Sequence, residues 1–230
     1  MIRRLCVSAA LAGAALFAVP QAASADIVLS QLVLDLAPGK PARGDIEIWN
    51  NDKERAYVVV EPYEVLNPGA ATMQRHADPD PEKLGLLVTP ARMILEPGQR
   101  KLLRIAAIGA LPARERVYRV TVKPTVGTVQ SNVTGLKLLI GYDVLVLLRP
   151  AAPAVTKLSG RRSGDKLTIR NDGTASVELA AGKACVAKNV CKELPGKRLY
   201  AGAEWTVDAP AGTSVDYAVL TATATGHQTF

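Results

Sequence analysis

Cys185 and Cys191, with five residues between them, are the pair in this chain best spaced to react with each other. In an oxidising compartment they would form a disulfide that closes a small loop or staples a hairpin. Two free thiols, or half of a metal site, are the alternatives. A metal site needs further donors, and the two histidines, His76 and His227, stand alone in the sequence. The chain carries no glycine-rich phosphate loop, no His-Glu-x-x-His and no Gly-x-Ser-x-Gly. Carboxylate pairs occur, but nothing singles one out. No enzymatic activity, metal or cofactor is expected, and the chemistry that remains is recognition through strands.

The stretch best suited to recognition is TGLKLLIGYDVLVLLRP, residues 134–150. Leu136, Leu138, Ile140, Tyr142, Val144 and Val146 share one parity, with Lys137, Gly141 and Asp143 among the residues between. Period-two apolar spacing marks a strand with one buried face. A strand from Leu136 to Leu148 would run about 40 Å at roughly 3.3 Å per residue, well beyond the usual length. It outruns its own sheet, so part of it is expected to pack against something else. An exposed apolar edge is also an aggregation hazard, so a self-capping dimer is expected in the free protein.

The start of the chain reads as a cleaved secretory signal over residues 1–25. Arg3 and Arg4 form its positive end, Leu5 to Val19 its apolar core and Ala23-Ser24-Ala25 its cleavage site. Asp26 becomes the mature N-terminus, and no later segment approaches the ~20 apolar residues of a membrane helix. Losing Arg3 and Arg4 takes the net charge from +7 to +5. That excess is spread thinly, with no basic run interleaved with aromatics, so nucleic acid is not an expected partner.

Strand patterns dominate the mature chain. They fall at 27–36, 44–50, 55–66, 84–95, 99–107, 115–124 and 134–149, separated by turn residues such as Asn50-Asn51-Asp52 and Pro97-Gly98. Residues 70–83 read as an exposed loop. Arg149-Pro150-Ala151-Ala152-Pro153 then forms a stiff elbow, since prolines do not continue a paired strand. Shorter strands come next, at 154–159, 165–170, 175–181, 184–187, 197–200, 203–208 and 213–222. The expected fold is all-β: two immunoglobulin-like β-sandwich domains, 26–149 and 150–230, joined by a short Pro-rich hinge.

Three segments together resemble the PapD-like periplasmic chaperones of the chaperone–usher pilus pathway, and the resemblance covers essentially the whole mature sequence. VTPARMILEPGQRKLLRI (88–105) resembles their proline-bounded strand pair. ERVYRVTVKP (115–124) resembles their sixth strand, and LLRPAA (147–152) resembles the end of the seventh strand and the hinge. The resemblance implies donor-strand complementation. The chaperone lends its seventh strand to a pilin or fimbrial subunit that lacks one, until an outer-membrane usher exchanges it. Counting back from Arg149-Pro150, it places the groove-filling side chains at Leu136, Leu138 and Ile140, with Tyr142 next on the same face.

Other family positions transfer differently. The arginine and lysine that bind the subunit's terminal carboxylate in well-known members align with Gln31 and Leu145, neither of which neutralises a carboxylate. Lys123, and next Arg119, are the candidate substitutes. The resemblance pairs Arg149 with Glu115 as an interdomain link, while the expected third acid is missing from TATATGHQTF. Arg104, on an otherwise apolar strand, is expected to be a buried structural cation. Two alternatives use the same features: an exported two-domain structural subunit or adhesin of a surface appendage, and a chaperone that works without an usher.

Overall fold

The computed structural model describes residues 27–38, 41–125, 139–187 and 190–230. The expected signal segment 1–25 and the donor positions Leu136 and Leu138 lie outside the described residues. Among those described, ten strands precede Pro150. They are β1 (Ile27–Leu29), β2 (Val33–Leu36), β3 (Arg43–Asn50), β4 (Ala56–Leu66), β5 (Gln74–His76), β6 (Leu86–Thr89), β7 (Arg92–Leu95), β8 (Arg100–Ala107), β9 (Arg116–Thr125) and β10 (Tyr142–Leu148). One sheet has the order β1-β3-β8-β6; the larger has β2-β10-β9-β4-β5, with β7 also on β4.

Alternation decides which side chains meet between these sheets. Ile46 and Ile48 of β3, Leu103 and Ile105 of β8, Val120 and Val122 of β9, and Val144 and Val146 of β10 are all fully buried in one core. Each contributes about 1.5–3 kcal/mol relative to exposure. The same parity corrects the expectation for Arg104. With Leu103 and Ile105 facing inward, Arg104 must face out; it is about half exposed and forks onto Asp45 with two 2.8 Å hydrogen bonds.

Two expected strands each serve both sheets. Residues 27–36 split after Leu29: β1 pairs with β3, whereas β2 joins β10 in parallel. Residues 84–95 split at a cis Thr89–Pro90 peptide, so β6 pairs with β8 and β7 with β4. Pro90 has no N–H to continue the ladder, which is where the chain changes sheets. The expected loop 70–83 instead contains β5 and one helical turn, α1 (Pro81–Leu84). Asp80 caps α1 by accepting from Glu82 N at 3.0 Å.

Beyond the elbow lie β11 (Leu158–Ser163), β12 (Lys166–Asn171), β13 (Val177–Ala187), β14 (Val190–Leu194), β15 (Lys197–Leu199), β16 (Glu204–Asp208), β17 (Ser214–Leu220) and β18 (Thr225–Thr229). They form sheets β11-β12-β16 and β14-β13-β17-β18, with β15 on β13, around a second core. The strands expected at 175–181 and 184–187 are one strand, β13, with a bulge between Ala180 and Lys183. Gly182 sits in that bulge because a Cβ there would lie 2.2 Å from the Tyr217 ring. Cys185 and Cys191 face each other across β13 and β14 and are disulfide-bonded, which settles the choice among thiols, metal and disulfide.

Both domains fasten a turn with a buried asparagine. Asn50 donates to Leu95 O at 3.0 Å and to Glu54 O at 2.6 Å, and accepts from Asp52 N at 3.0 Å. Asn171 repeats this, donating to Ala175 O and Leu199 O and accepting from Gly173 N, each at 2.9 Å. A fully hydrogen-bonded amide is what makes a polar group tolerable at these depths.

Candidate functional site

β10 divides its side chains between two apolar clusters. Val144, Val146 and Leu148 enter the core between the sheets, while Leu145 and Leu147 face the opposite way. There they pack with Tyr63, Val65 and Val117 against Tyr200 of the second domain. Tyr142 closes the core at its end: its ring packs against the cluster and its hydroxyl donates to Ile27 O at 2.8 Å. Ile140, two residues on in the same parity, is 53% exposed. Gly141 lets the chain between them pass close to β9, since a Cβ there would sit 3.1 Å from Val122 O. The β9–β10 ladder ends at Tyr142–Val122, yet β9 continues along β4 to Thr125.

Register arranges the outer face of the larger sheet in rows. Leu145 lies opposite Val33 and Arg119, and Arg119 opposite Tyr63. Leu147 lies opposite Asp35 and Val117, and Val65, which packs in one cluster with Val117, lies opposite Arg75. Arg119 therefore stands one strand from Leu145, about 4.8 Å across the sheet. Lys123 is farther along β9, and its ammonium is engaged by Glu61. The Gln31 amide donates to Asp45 O at 3.3 Å.

Around Arg119 the contacts are looser. Its Nη1 donates to the Asp143 carbonyl at 3.1 Å and lies 4.0 Å from the Asp143 carboxylate. The Tyr63 hydroxyl donates to both oxygens of that carboxylate, at 3.0 and 3.2 Å. The Arg75 guanidinium stacks over the Tyr63 ring at 4.5 Å. Burial pushes the Tyr63 hydroxyl pKa up, its hydrogen bond to Asp143 adds to this, and Arg75 and Arg119 oppose it.

The predicted pair Glu115 and Arg149 meets at the elbow. Arg149 is only 7% exposed and donates to Glu115 through Nη1 and to Asp35 through Nε at 2.5 Å. Glu115 Oε2 also accepts from Ser176 N and Ser176 Oγ, both at 3.1 Å, which ties the first domain to the second. Backbone bonds from Glu115 N to Thr174 O and from Ala151 N to Pro112 O flank this cluster. The third acid is thus Asp35 of the first domain, with Ser176 as the partner from the second.

Sequence reasoning passed over Asp35, Ser176, Tyr63 and Arg75. Asp35 had a usable signal, since QLVLD ends one side of the expected first strand with an acid. Arg75 had none, because it sits in the segment read as loop.

The Pili and flagellar-assembly chaperone family model, PapD N-terminal domain, matches residues 27–154. Among curated proteins the chain is 24% identical to a CFA/I fimbrial subunit of Escherichia coli, over 74% of this chain and 73% of that one. It is 24% identical to a CS1 fimbrial subunit of Escherichia coli, over 83% of each. Among solved structures it resembles the class 5 fimbriae chaperone CfaA, with TM-score 0.68, 22% identity and coverage of 88% and 98%. It also resembles a chain of the Salmonella enterica SafA pilin–SafB chaperone complex, with TM-score 0.64, 20% identity and coverage of 91% and 99%.

Proposed function

This chain belongs to the pili and flagellar-assembly chaperone family, and we propose that it is exported to the periplasm, holds pilus or fimbrial subunits there by donor-strand complementation, and delivers them to an outer-membrane usher. The observation that carries this reading is the end of β10. Among the described residues, Tyr142 is the last side chain of its parity to pack into the chain's own core, and Ile140 beyond it is exposed. Leu136, Leu138 and Ile140 continue that parity and are the groove-filling positions; Tyr142 marks where the lent face begins. Burying three such side chains contributes on the order of 5–9 kcal/mol before ordering costs. Main-chain pairing along the edge adds to this.

The subunit's terminal carboxylate is anchored by Arg119 rather than Lys123. Arg119 shares a row with Leu145, the position that aligns with the family's lysine, whereas Lys123 is already engaged by Glu61. The pair Glu115–Arg149, with Asp35 and Ser176, holds the elbow at the angle that keeps this row beside the second domain.

The test is native mass spectrometry of the tagged protein purified from the periplasm of its own host. A one-to-one complex with a small exported β-rich protein is expected, and its loss in Leu138→Asp, with the melting transition unchanged. If Leu138→Asp unfolds the first domain, the side chain belongs to the chain's own core. A folded Leu138→Asp that still holds the subunit refutes the assignment of the lent face.

A further inference from the structure

Cations of the larger sheet differ in how they are held. Arg116 is locked onto Glu64 by two 2.7 Å hydrogen bonds, and Lys123 is paired with Glu61. Arg119 is oriented by a carbonyl instead, with the Asp143 carboxylate 4.0 Å away, beyond hydrogen-bonding reach. The Arg75 guanidinium is oriented by an aromatic face. Between the two lies the Tyr63 hydroxyl, whose ring is buried and whose proton is aimed at a carboxylate. Both cations act on that hydroxyl. So one point on the sheet gathers two guanidinium groups around a phenol whose acid partner, among the described residues, makes that shared hydrogen bond and a 4.0 Å ion pair with Arg119.

We infer that Tyr63, Arg75 and Arg119 form one carboxylate seat, occupied in the free protein by the chain's own Asp143, which the C-terminal carboxylate of a bound strand displaces. The inference rests on Arg119 as the anchor and adds Arg75 and Tyr63 as binding residues and Asp143 as internal competitor. Asp143 shows that the seat accepts a carboxylate. It sits on β10 close to Leu145, so its backbone is fixed and its side chain reaches Tyr63 without closing on Arg119. A carboxylate free to approach Arg119 squarely makes two parallel charge-assisted hydrogen bonds, which Asp143 does not. Its side chain is 41% exposed, so it can swing out into water when displaced.

The probe is a synthetic peptide of about eleven residues, the length of a long strand, alternating valine and threonine. It is made once with a free C-terminal carboxylate and once as the C-terminal amide. Its affinity for the exported full chain is measured by fluorescence anisotropy, and the quantity compared is the acid-over-amide preference. The unaltered protein should prefer the acid. Asp143→Asn should raise that preference about three-fold and Arg75→Gln should lower it about three-fold, the size typical of partly exposed ion pairs. Tyr63→Phe, which keeps the ring under Arg75, should lower it too and serves if Asp143→Asn fails to fold. A preference unchanged or reduced in Asp143→Asn, including loss of all peptide binding by a folded variant, overturns the internal competitor. Arg119→Gln separates the two levels. If it abolishes the preference while Asp143→Asn and Arg75→Gln do nothing, the anchor stands and the seat falls. If it leaves the preference intact, the anchor assignment falls as well.

Discussion

Replacing Glu115 with glutamine changes one atom in the elbow and should cost far more than its size suggests. Among the described residues, Oε2 of Glu115 takes all of its hydrogen bonds, from Arg149 Nη1, Ser176 N and Ser176 Oγ, while the buried Oε1 has no partner. In Glu115→Gln the amide oxygen inherits the Oε2 contacts and the new NH2 lands at the Oε1 position, where nothing accepts it. A buried donor without an acceptor costs about 1–3 kcal/mol. Arg149 meanwhile keeps Asp35 as its one counter-charge among the described residues, a side chain 44% exposed, so the buried guanidinium loses its better counter-charge. Breaking a buried pair costs about 3–5 kcal/mol, and Asp35 offsets part of that, which leaves about 3 kcal/mol for the two effects together. For a chain of this size that lowers the melting midpoint by roughly 6–12 °C. Asp35→Asn removes the exposed arm of the same pair and should cost about 1 kcal/mol or less. Differential scanning calorimetry of both variants decides the matter. An Asp35→Asn midpoint at or below that of Glu115→Gln would refute the account of which acid neutralises Arg149. The double change Glu115→Gln with Arg149→Met should recover part of the loss, because it removes the stranded charge.

Two further outcomes concern residues remote from the elbow. Tyr118 is buried, with its hydroxyl donating to Leu84 O at 3.2 Å, and burial pushes its pKa up to about 12. Its stabilising effect is complete below the unfolded tyrosine pKa near 10 and is lost as pH rises through about 12. Tyr118→Phe should therefore be about 1 kcal/mol less stable at pH 7, yet unfold at a higher alkaline pH than the parent. An alkaline melt that shifts downward in Tyr118→Phe contradicts this. Opening the Cys185–Cys191 bridge with the double change to serine removes a short loop closure worth about 2 kcal/mol. It should raise hydrogen exchange in β13 and β14 while leaving β9 and β10 unchanged. Faster exchange in β9 would mean the two cores are not separate.

Alternation made most of this fold legible, because a strand with one buried face records that face in every second residue. It therefore marked β3, β4, β8, β9 and β17, whose inward residues are aliphatic or aromatic for most of their length. It missed β5, β14 and β18, since QRH, VCKEL and TGHQT have no apolar alternation and owe their conformation to a neighbouring strand. Arg104 was misread because its neighbours are apolar; the parity of Leu103 and Ile105 already assigned it to the outside. At the candidate site, Glu115 and Arg149 were legible as a pair, but Asp35 and Ser176 come together only through β2's register and the packing of the second domain. The proposed preference for Arg119 over Lys123 was likewise hidden, since it depends on which residue lies across the sheet from Leu145 and on Glu61 engaging Lys123.

Tyr200 reaches across from the second domain to the cluster of Tyr63, Val65, Val117, Leu145 and Leu147, on the same sheet face that carries Arg119. That shared face makes the elbow angle and the width of the cleft a single mechanical coordinate. Any rotation that lifts Tyr200 widens the aperture above Leu145, and any rotation that presses it down narrows the approach to Arg119. The Arg149 cluster thus sets how far Tyr200 stands from that face, and a change at Ser176, which lies just outside β13, would alter the space above the row beneath.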